Sequence, residues 1–223
     1  MALKLYYHPF SSFCQKVLVA LYERDMAFEG ELVGTGDPEP KAMLEAIWPI
    51  GKFPVLRDEE RGVTVPEASL IIQYLDRVRP DPKALVPDDP DAALQAHIWD
   101  RFFDLYVAQP MQERVKDCFR PEDGKDPIGV EEAKAQLAKT YRILDAHLAD
   151  RGGEWVTGED FTLADCGAGP ALFYANIVQP FAGHSQVEAY YGRLLARPSF
   201  ARAVDEARPY RAIFPLGWPD SYD

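Results

Sequence analysis

Thirteen residues, RPDPKALVPDDPD at 79–91, divide this chain into two parts of different kinds. They hold four prolines and four aspartates. Proline fixes φ and has no amide to donate, so neither a helix interior nor a central strand tolerates that density, and the stretch reads as a linker. Before it, strand and helix patterns alternate. Residues 3–7 read as a strand and 12–24 as a helix with Val17, Leu18, Leu21 and Tyr22 on one face. A strand at 28–33 and a short helix at 41–47 follow. Residues 54–57 and 63–65 form a hairpin around DEERG, and 67–78 is a helix with Leu70, Ile71, Tyr74, Leu75 and Val78 at helical spacing. A crossover helix between the first two strands favours a parallel pair. After the linker the strand signals stop. Residues 92–119 have a helical pattern with a kink expected at Pro110, and 130–149, 162–177, 186–196 and 199–207 are further helices. The tail, 209–223, reads as irregular and packed on the surface. The pattern predicts a small α/β domain at 1–78 and an all-α domain at 92–223.

The 223 residues carry a net charge of −12. A polyphosphate or an anionic membrane surface needs a basic patch that such a chain does not suggest, so neither is expected as a partner. Cys14, Cys118 and Cys166 are odd in number and far apart, which argues against a disulfide framework and for a reducing compartment. No apolar run approaches a membrane span, and no export signal opens the sequence, so the expected setting is the cytoplasm. No His, Cys or Asp spacing suggests a metal.

Three segments carry chemistry. HPFSSFCQK (8–16) joins the first strand to the first helix. In thioredoxin-type domains a redox dithiol sits there, where free helix amides and the macrodipole favour negative charge. The glutaredoxin pattern is Cys-x-x-Cys, then a basic residue and Val. Here it reads Ser11-Ser12-Phe13-Cys14-Gln15-Lys16-Val17, with serine in place of the first cysteine. Cys14 reads as a small buried apolar residue. A place shaped for a thiolate but lacking its own implies that a ligand brings it. WPIGKFPVL (48–56) sets Pro54 just before the third strand, a proline usually cis in thioredoxin-like folds, with the backbone of Phe53 left to pair with a peptide. VPEASLIIQYL (65–75) sets Glu67 at a helix start, where free amides suit a carboxylate and Glu67 suits an ammonium. A γ-glutamyl group carries both.

With SSFCQKV, IGKFPVL, PEASLIIQYLD, the linker and FTLAD in this order, the chain resembles the cytosolic glutathione transferases over nearly its whole length. The resemblance implies a thioredoxin-like N-terminal domain that binds glutathione and an all-α C-terminal domain that forms an electrophile site. It also implies a homodimer, with glutathione as co-substrate and no metal. Ser11 matches the catalytic serine of the theta-like and zeta-like classes, whose hydroxyl donates to the glutathione sulfur, and Ser12 and Phe13 follow it in the same site. Phe53 and Pro54 match the pair whose backbone meets the cysteinyl part. Glu67 and Ala68 match the Glu-Ser pair at the γ-glutamyl end. Lys52 matches a partner of the glycyl carboxylate.

The sequence departs from the pattern at several positions. Ala68 lacks the usual hydroxyl, unless Ser69 supplies it. Trp48 stands where Asn is usual. Phe13 replaces the cysteine of the zeta pattern, which weakens a zeta-type isomerase reading, and position 11 is not a cysteine, which disfavours thiol-based classes. A non-catalytic binding module is the chief alternative. Glutathione-dependent isomerase, peroxidase, dehalogenase and thioether-cleaving activities are further ones. A serine hydrolase lacks its G-x-S-x-G elbow, and His8 reads as a structural strand-end residue. The aromatics of 99–111 and 173–181 are read mainly as core, with some of them candidates to line an apolar pocket. In FTLAD, Thr162 and Asp165 have capping-box spacing, with Phe161 as a hydrophobic staple.

Overall fold

The computed structural model describes residues 3–34, 38–80 and 84–218. The N-terminal part runs β1 (Leu3–Tyr7), α1 (Ser12–Glu23), β2 (Glu29–Leu32), α2 (Pro38–Ile47), β3 (Val55–Asp58), β4 (Val63–Pro66) and α3 (Ala68–Val78). Its four-stranded sheet has the order β2-β1-β3-β4. β1 and β2 are parallel, while β3 runs antiparallel to both β1 and β4. The alternation of β1 decides which helices cover the sheet. Leu3 and Leu5 join the large core with α1 and α3, and Tyr6 turns to the other face, where Val33, Leu44 and Val55 form a second cluster. In α3, Ile71, Ile72 and Leu75 are buried, whereas Leu70 is half exposed. Leu70 shares the helical spacing but faces away from the core, and Ile72, two positions on, is buried there instead.

The helical part runs α4 (Pro90–Phe102), a π-helical segment (Phe103–Ala108), α5 (Gln109–Cys118), α6 (Pro127–Arg151), α7 (Leu163–Val178), α8 (Ser185–Ala196) and α9 (Pro198–Ala207), then a 3-10 segment at Arg208–Ile213. The linker's last residues belong to α4. Asp89 caps it, accepting from the Ala92 amide at 2.9 Å, and Pro90 takes the first-turn position where its missing amide costs nothing. Linker residues 81–83 and tail residues 219–223 lie outside the described residues. The kink expected at Pro110 takes the form of the π-helical segment. Pro110 cannot donate to the preceding turn, and the register widens so that the Gln109 amide reaches the Asp104 carbonyl five residues back.

Helix α7 is buried through most of its length, as a helix apolar on all sides must be. It packs on α1, which is buried from Ser12 to Leu21 apart from Phe13. Close approach depends on Gly167, where a Cβ would stand 3.3–3.4 Å from the Lys16 side chain. The capping box at the start of α7 is complete. The Asp165 carboxylate accepts from the Thr162 amide (2.9 Å), the Thr162 hydroxyl (3.1 Å), the Val156 amide (3.1 Å) and the Tyr190 hydroxyl (2.6 Å). The tail is less irregular than its prolines suggest. Phe214 is buried, and Trp218 packs on Phe10 and Phe173 of its own chain.

Candidate functional site

Ser11 is the N-cap of α1, with extended backbone, and its Oγ accepts from the Cys14 amide at 3.4 Å. Accepting there leaves the hydroxyl proton to be donated. The Cys14 thiol is within its reach, but burial pushes that thiol up to about 12, so it stays neutral and is a weak acceptor. Cys14 is fully buried, as its place inside the helix suggested. The amides of Ser12 and Phe13 have no partner among the described residues, and the first turn of α1 carries no acidic side chain. An electron-rich atom beside Ser11 would therefore meet one hydroxyl, two free amides and the positive end of a helix.

Two other hydroxyls near the strand end are turned away. Tyr7 lies against Phe28 and beside Gly30, and burial raises its pKa. Tyr174 donates to the Phe10 carbonyl (3.0 Å) and accepts from Gln15 (3.1 Å), so it is satisfied. His8 is buried; its Nδ1 accepts from the Phe10 amide (3.2 Å), its ring packs on Tyr210, and burial lowers its pKa. That is a structural histidine, as read from the sequence.

Two spaces meet beside this helix end. One is a cleft of about 350 Å³ that brings together Phe13, Trp48, Lys52, Phe53, Pro54, Glu67 and Ala68, with Lys116 on its far wall. The Phe53–Pro54 bond is cis, and the Phe53 backbone has no hydrogen bond among the described residues. No side chain caps α3, and the Ala68 and Ser69 amides are likewise without partners among the described residues. Glu67 precedes them with φ 69°, a conformation that costs a non-glycine residue about 1–3 kcal/mol. The other space is a cavity of about 230 Å³ that holds Ser11 and Ser12 among Phe10, Met111, Val115, Phe119 and Tyr174. Ile213, Phe214 and Pro215 close it from the tail. Of the aromatic stretches considered from sequence, only Met111 and Tyr174 line it; Trp99, Phe103, Phe173 and Phe181 are core. Met111, Val115 and Phe119 recur every four residues in an otherwise polar segment, a signal that periodicity could have supplied.

Ser69 does not replace the hydroxyl missing at Ala68. It donates to Asp100 (2.8 Å) and accepts from Lys16 Nζ (2.9 Å). Lys16, buried to 1% exposure, also meets Asp104 (2.9 Å) and Asp100 (2.5 Å), and Arg101 pairs with Asp104. Burial raises the Asp104 carboxyl, and the Lys16 ammonium opposes that. This cluster ties α1 and α3 to α4 and the π-helical segment, and sequence reasoning missed it: Lys16 reads as a surface cation until its neighbours are known. Among the described residues no cluster of His, Cys, Asp and Glu could hold a metal, and no helix is long and apolar enough to cross a membrane.

Comparison with known proteins agrees with this arrangement. A model of the glutathione S-transferase N-terminal domain matches residues 5–83, and one of the C-terminal domain matches residues 127–193. A glutathione S-transferase of Silene vulgaris is 30% identical over 219 residues, 92% of this chain and 97% of that protein. The chain belongs to the glutathione S-transferase family. Among solved glutathione S-transferases, one from Methylobacillus flagellatus with GSH bound superposes with a TM-score of 0.79 at 28% identity, covering 90% of this chain and 98% of that one. Another, from Rhodospirillum rubrum, gives 0.81 at 25% identity and covers 99% of this chain and 97% of that one.

Proposed function

We propose that this glutathione transferase binds glutathione along the cleft from Glu67 to Lys52 and presents its thiolate at Ser11 to a small apolar electrophile in the adjoining cavity. The observation that carries the reading is the Ser11 hydroxyl, fixed as a helix cap with its proton available, where cleft and cavity meet. A thiol of pKa ~8.5 is only about 3% ionised near pH 7, and lowering that pKa by ~2 units takes about 2.7 kcal/mol. A hydroxyl bond to a charged acceptor supplies roughly 1.5–3 kcal/mol. A helix N-terminus adds up to ~1–2 kcal/mol. The sum suffices without a general base, so Ser11 acts as an electrostatic stabiliser. The γ-glutamyl carboxylate meets the Ala68 and Ser69 amides, and its ammonium meets Glu67. The Phe53 backbone pairs with the cysteinyl part, and Lys52 meets the glycyl carboxylate. Retention on immobilised glutathione, followed by conjugation of an activated aryl halide, tests the reading; retention without turnover leaves a binding module.

Glu67 links the site to stability. Glu67→Gly relieves the positive φ, so the unfolding midpoint should rise by a few degrees, while glutathione affinity should fall roughly 10-fold with the loss of one charge-assisted contact. A lowered midpoint would show that the backbone there is not strained.

The domain boundary in this reading falls within 79–91, and the protein is a cytoplasmic homodimer that serves detoxification. Support for the dimer comes from Leu70 on α3 and from Leu94 and Ile98, one turn apart on α4, all about half exposed. Sedimentation at micromolar concentration should give twice the 25.1 kDa chain mass; a single-chain species would sink the dimer.

A further inference from the structure

The two carbonyls just before Ser11 are each held by a side chain. Gln15, fully buried on α1, donates to the Pro9 carbonyl (3.0 Å) and to the Tyr174 hydroxyl (3.1 Å). Tyr174, on α7 of the helical domain, gives its own proton to the Phe10 carbonyl (3.0 Å). On the other side of the same peptide group, the Ser11 amide donates to the His8 carbonyl (3.0 Å). The peptide that leads into Ser11 is thus fixed at its oxygen and at its nitrogen. Gln15 shows what that placement demands. The Pro9 carbonyl can only accept, so the carboxamide nitrogen faces the loop, and the carboxamide oxygen is left buried with no partner among the described residues. An unpaired acceptor in a core works against folding, which points to a network retained for geometry and not for stability. The Tyr174 ring is packed against Phe10 (5.4 Å between centroids), Phe173 (5.1 Å) and Phe214 (5.5 Å), so its hydroxyl is a rigid strut.

We infer that Tyr174 is a positioning residue: through the Phe10 carbonyl, the helical domain sets where the Ser11 hydroxyl stands and so how far the glutathione thiol is ionised. The inference rests on the conjugation reading above. Tyr174 does not itself serve the sulfur, because its one proton is already given to the loop. Its effect is geometric. A hydrogen bond weakens steeply with misalignment, and a displacement of about 1 Å can lower a rate about 10²-fold. Burial raises the pKa of Tyr174 and of the neighbouring Cys14 thiol and lowers that of His8, so from neutral to mildly alkaline pH these three groups stay uncharged. A change in the titration of bound glutathione then reports on the sulfur and not on them.

The test uses the purified full chain with glutathione. It reads the bound thiol's pKa from thiolate absorbance, beside a pH–rate profile with 1-chloro-2,4-dinitrobenzene. Tyr174→Phe keeps the ring and its share of the cavity wall and deletes only the hydroxyl. It should raise the bound thiol's pKa by about half a unit to one unit, lower kcat near neutrality about 3- to 10-fold with recovery at higher pH, and leave the KM for glutathione within about 2-fold. Combined with Ser11→Ala, the same substitution should change kcat less than about 2-fold further, since no serine hydroxyl remains to be positioned. Gln15→Met fills the space but removes the other donor, and should shift the pKa in the same direction even if Tyr174→Phe folds poorly. An unshifted pKa in both variants, or an equal further loss with and without Ser11→Ala, overturns the inference, and a lowered unfolding midpoint alone would make Tyr174 merely structural. If Ser11→Ala shifts the pKa and Tyr174→Phe does not, this inference fails by itself. If the wild type leaves the bound thiol at its ordinary pKa, the Ser11 reading fails and this inference falls with it.

Discussion

Asp165→Ala is expected to lower the unfolding free energy by about 3–5 kcal/mol, because buried donors left without partners cost ~1–3 kcal/mol each. A helix cap on its own contributes less, about 0.5–2 kcal/mol. The larger figure follows from position. The carboxylate is 1% exposed and accepts from the Thr162 and Val156 amides and from the Thr162 and Tyr190 hydroxyls, joining the start of α7 to the preceding loop and to α8. Removing it strands those donors in the middle of the helical domain. Burial raises the Asp165 pKa, so part of the loss is offset by the desolvation that an alanine escapes. For a chain of this size the midpoint should drop by roughly 10 °C, at about 2–4 °C per kcal/mol. Asp165→Asn keeps the volume but turns an amide donor toward N–H groups, and should recover little of it. Thermal and urea unfolding measure the effect. Unchanged stability with lost glutathione affinity would contradict this account, because it would give Asp165 a role in the ligand site instead of the core.

Ser11→Ala should leave glutathione binding nearly intact but raise the pKa of the bound thiol. Loss of one hydrogen bond to a charged sulfur, ~1.5–3 kcal/mol, corresponds to roughly one to two pKa units. The sign sets the pH dependence. With the bound thiol's pKa raised, less thiolate is present near neutrality, so conjugation there should fall about 10- to 100-fold and recover as pH rises through the new pKa. The same substitution removes the α1 cap, at a cost of ~1 kcal/mol, and stability should be measured in parallel. Ser12→Ala should do less, since Ser12 is a buried first-turn residue and not the cap. Ser11→Cys restores a Cys-x-x-Cys frame with Cys14. The new thiol at the helix N-terminus should gain exchange with glutathione disulfide, whereas an internal disulfide with Cys14 should close slowly, because burial holds the Cys14 thiol near 12. The decisive measurement is a pH–rate profile of wild type and Ser11→Ala, paired with the thiolate absorbance of bound glutathione. An unshifted profile, or a larger loss from Ser12→Ala, moves the active position away from Ser11.

The features legible in the sequence are those that short stretches determine. Proline density marked the break at 79–91, because a missing amide acts within a turn of where it sits. The hairpin at 54–65 and the cap at Thr162 follow from turn and capping chemistry that spans three or four residues. The glutathione-site candidates came from three short segments and from the family resemblance they carry, and the fold brings Phe13, Lys52, Phe53, Pro54, Glu67 and Ala68 into one cleft with Ser11 and Ser12 in the cavity beside it. What the sequence could not decide is which element covers a given face. Helical periodicity marks a face as apolar without naming its neighbour, so Leu70 shares the spacing of Ile71 and Leu75 and is nonetheless half exposed. Lys16 reads as solvated until α4 and the π-helical segment bring Asp100 and Asp104 to it, because the low dielectric between packed helices turns a surface cation into an obligatory partner. Ser69 was free to replace a hydroxyl until that same cluster claimed it. The cavity at Ser11 is assembled from residues 10–12, 111–119, 174 and 213–215, separated by as much as two hundred positions along the chain. Contacts of that range are fixed by how the helical domain docks on α1, and docking is set by the summed burial of many side chains, which no local stretch records.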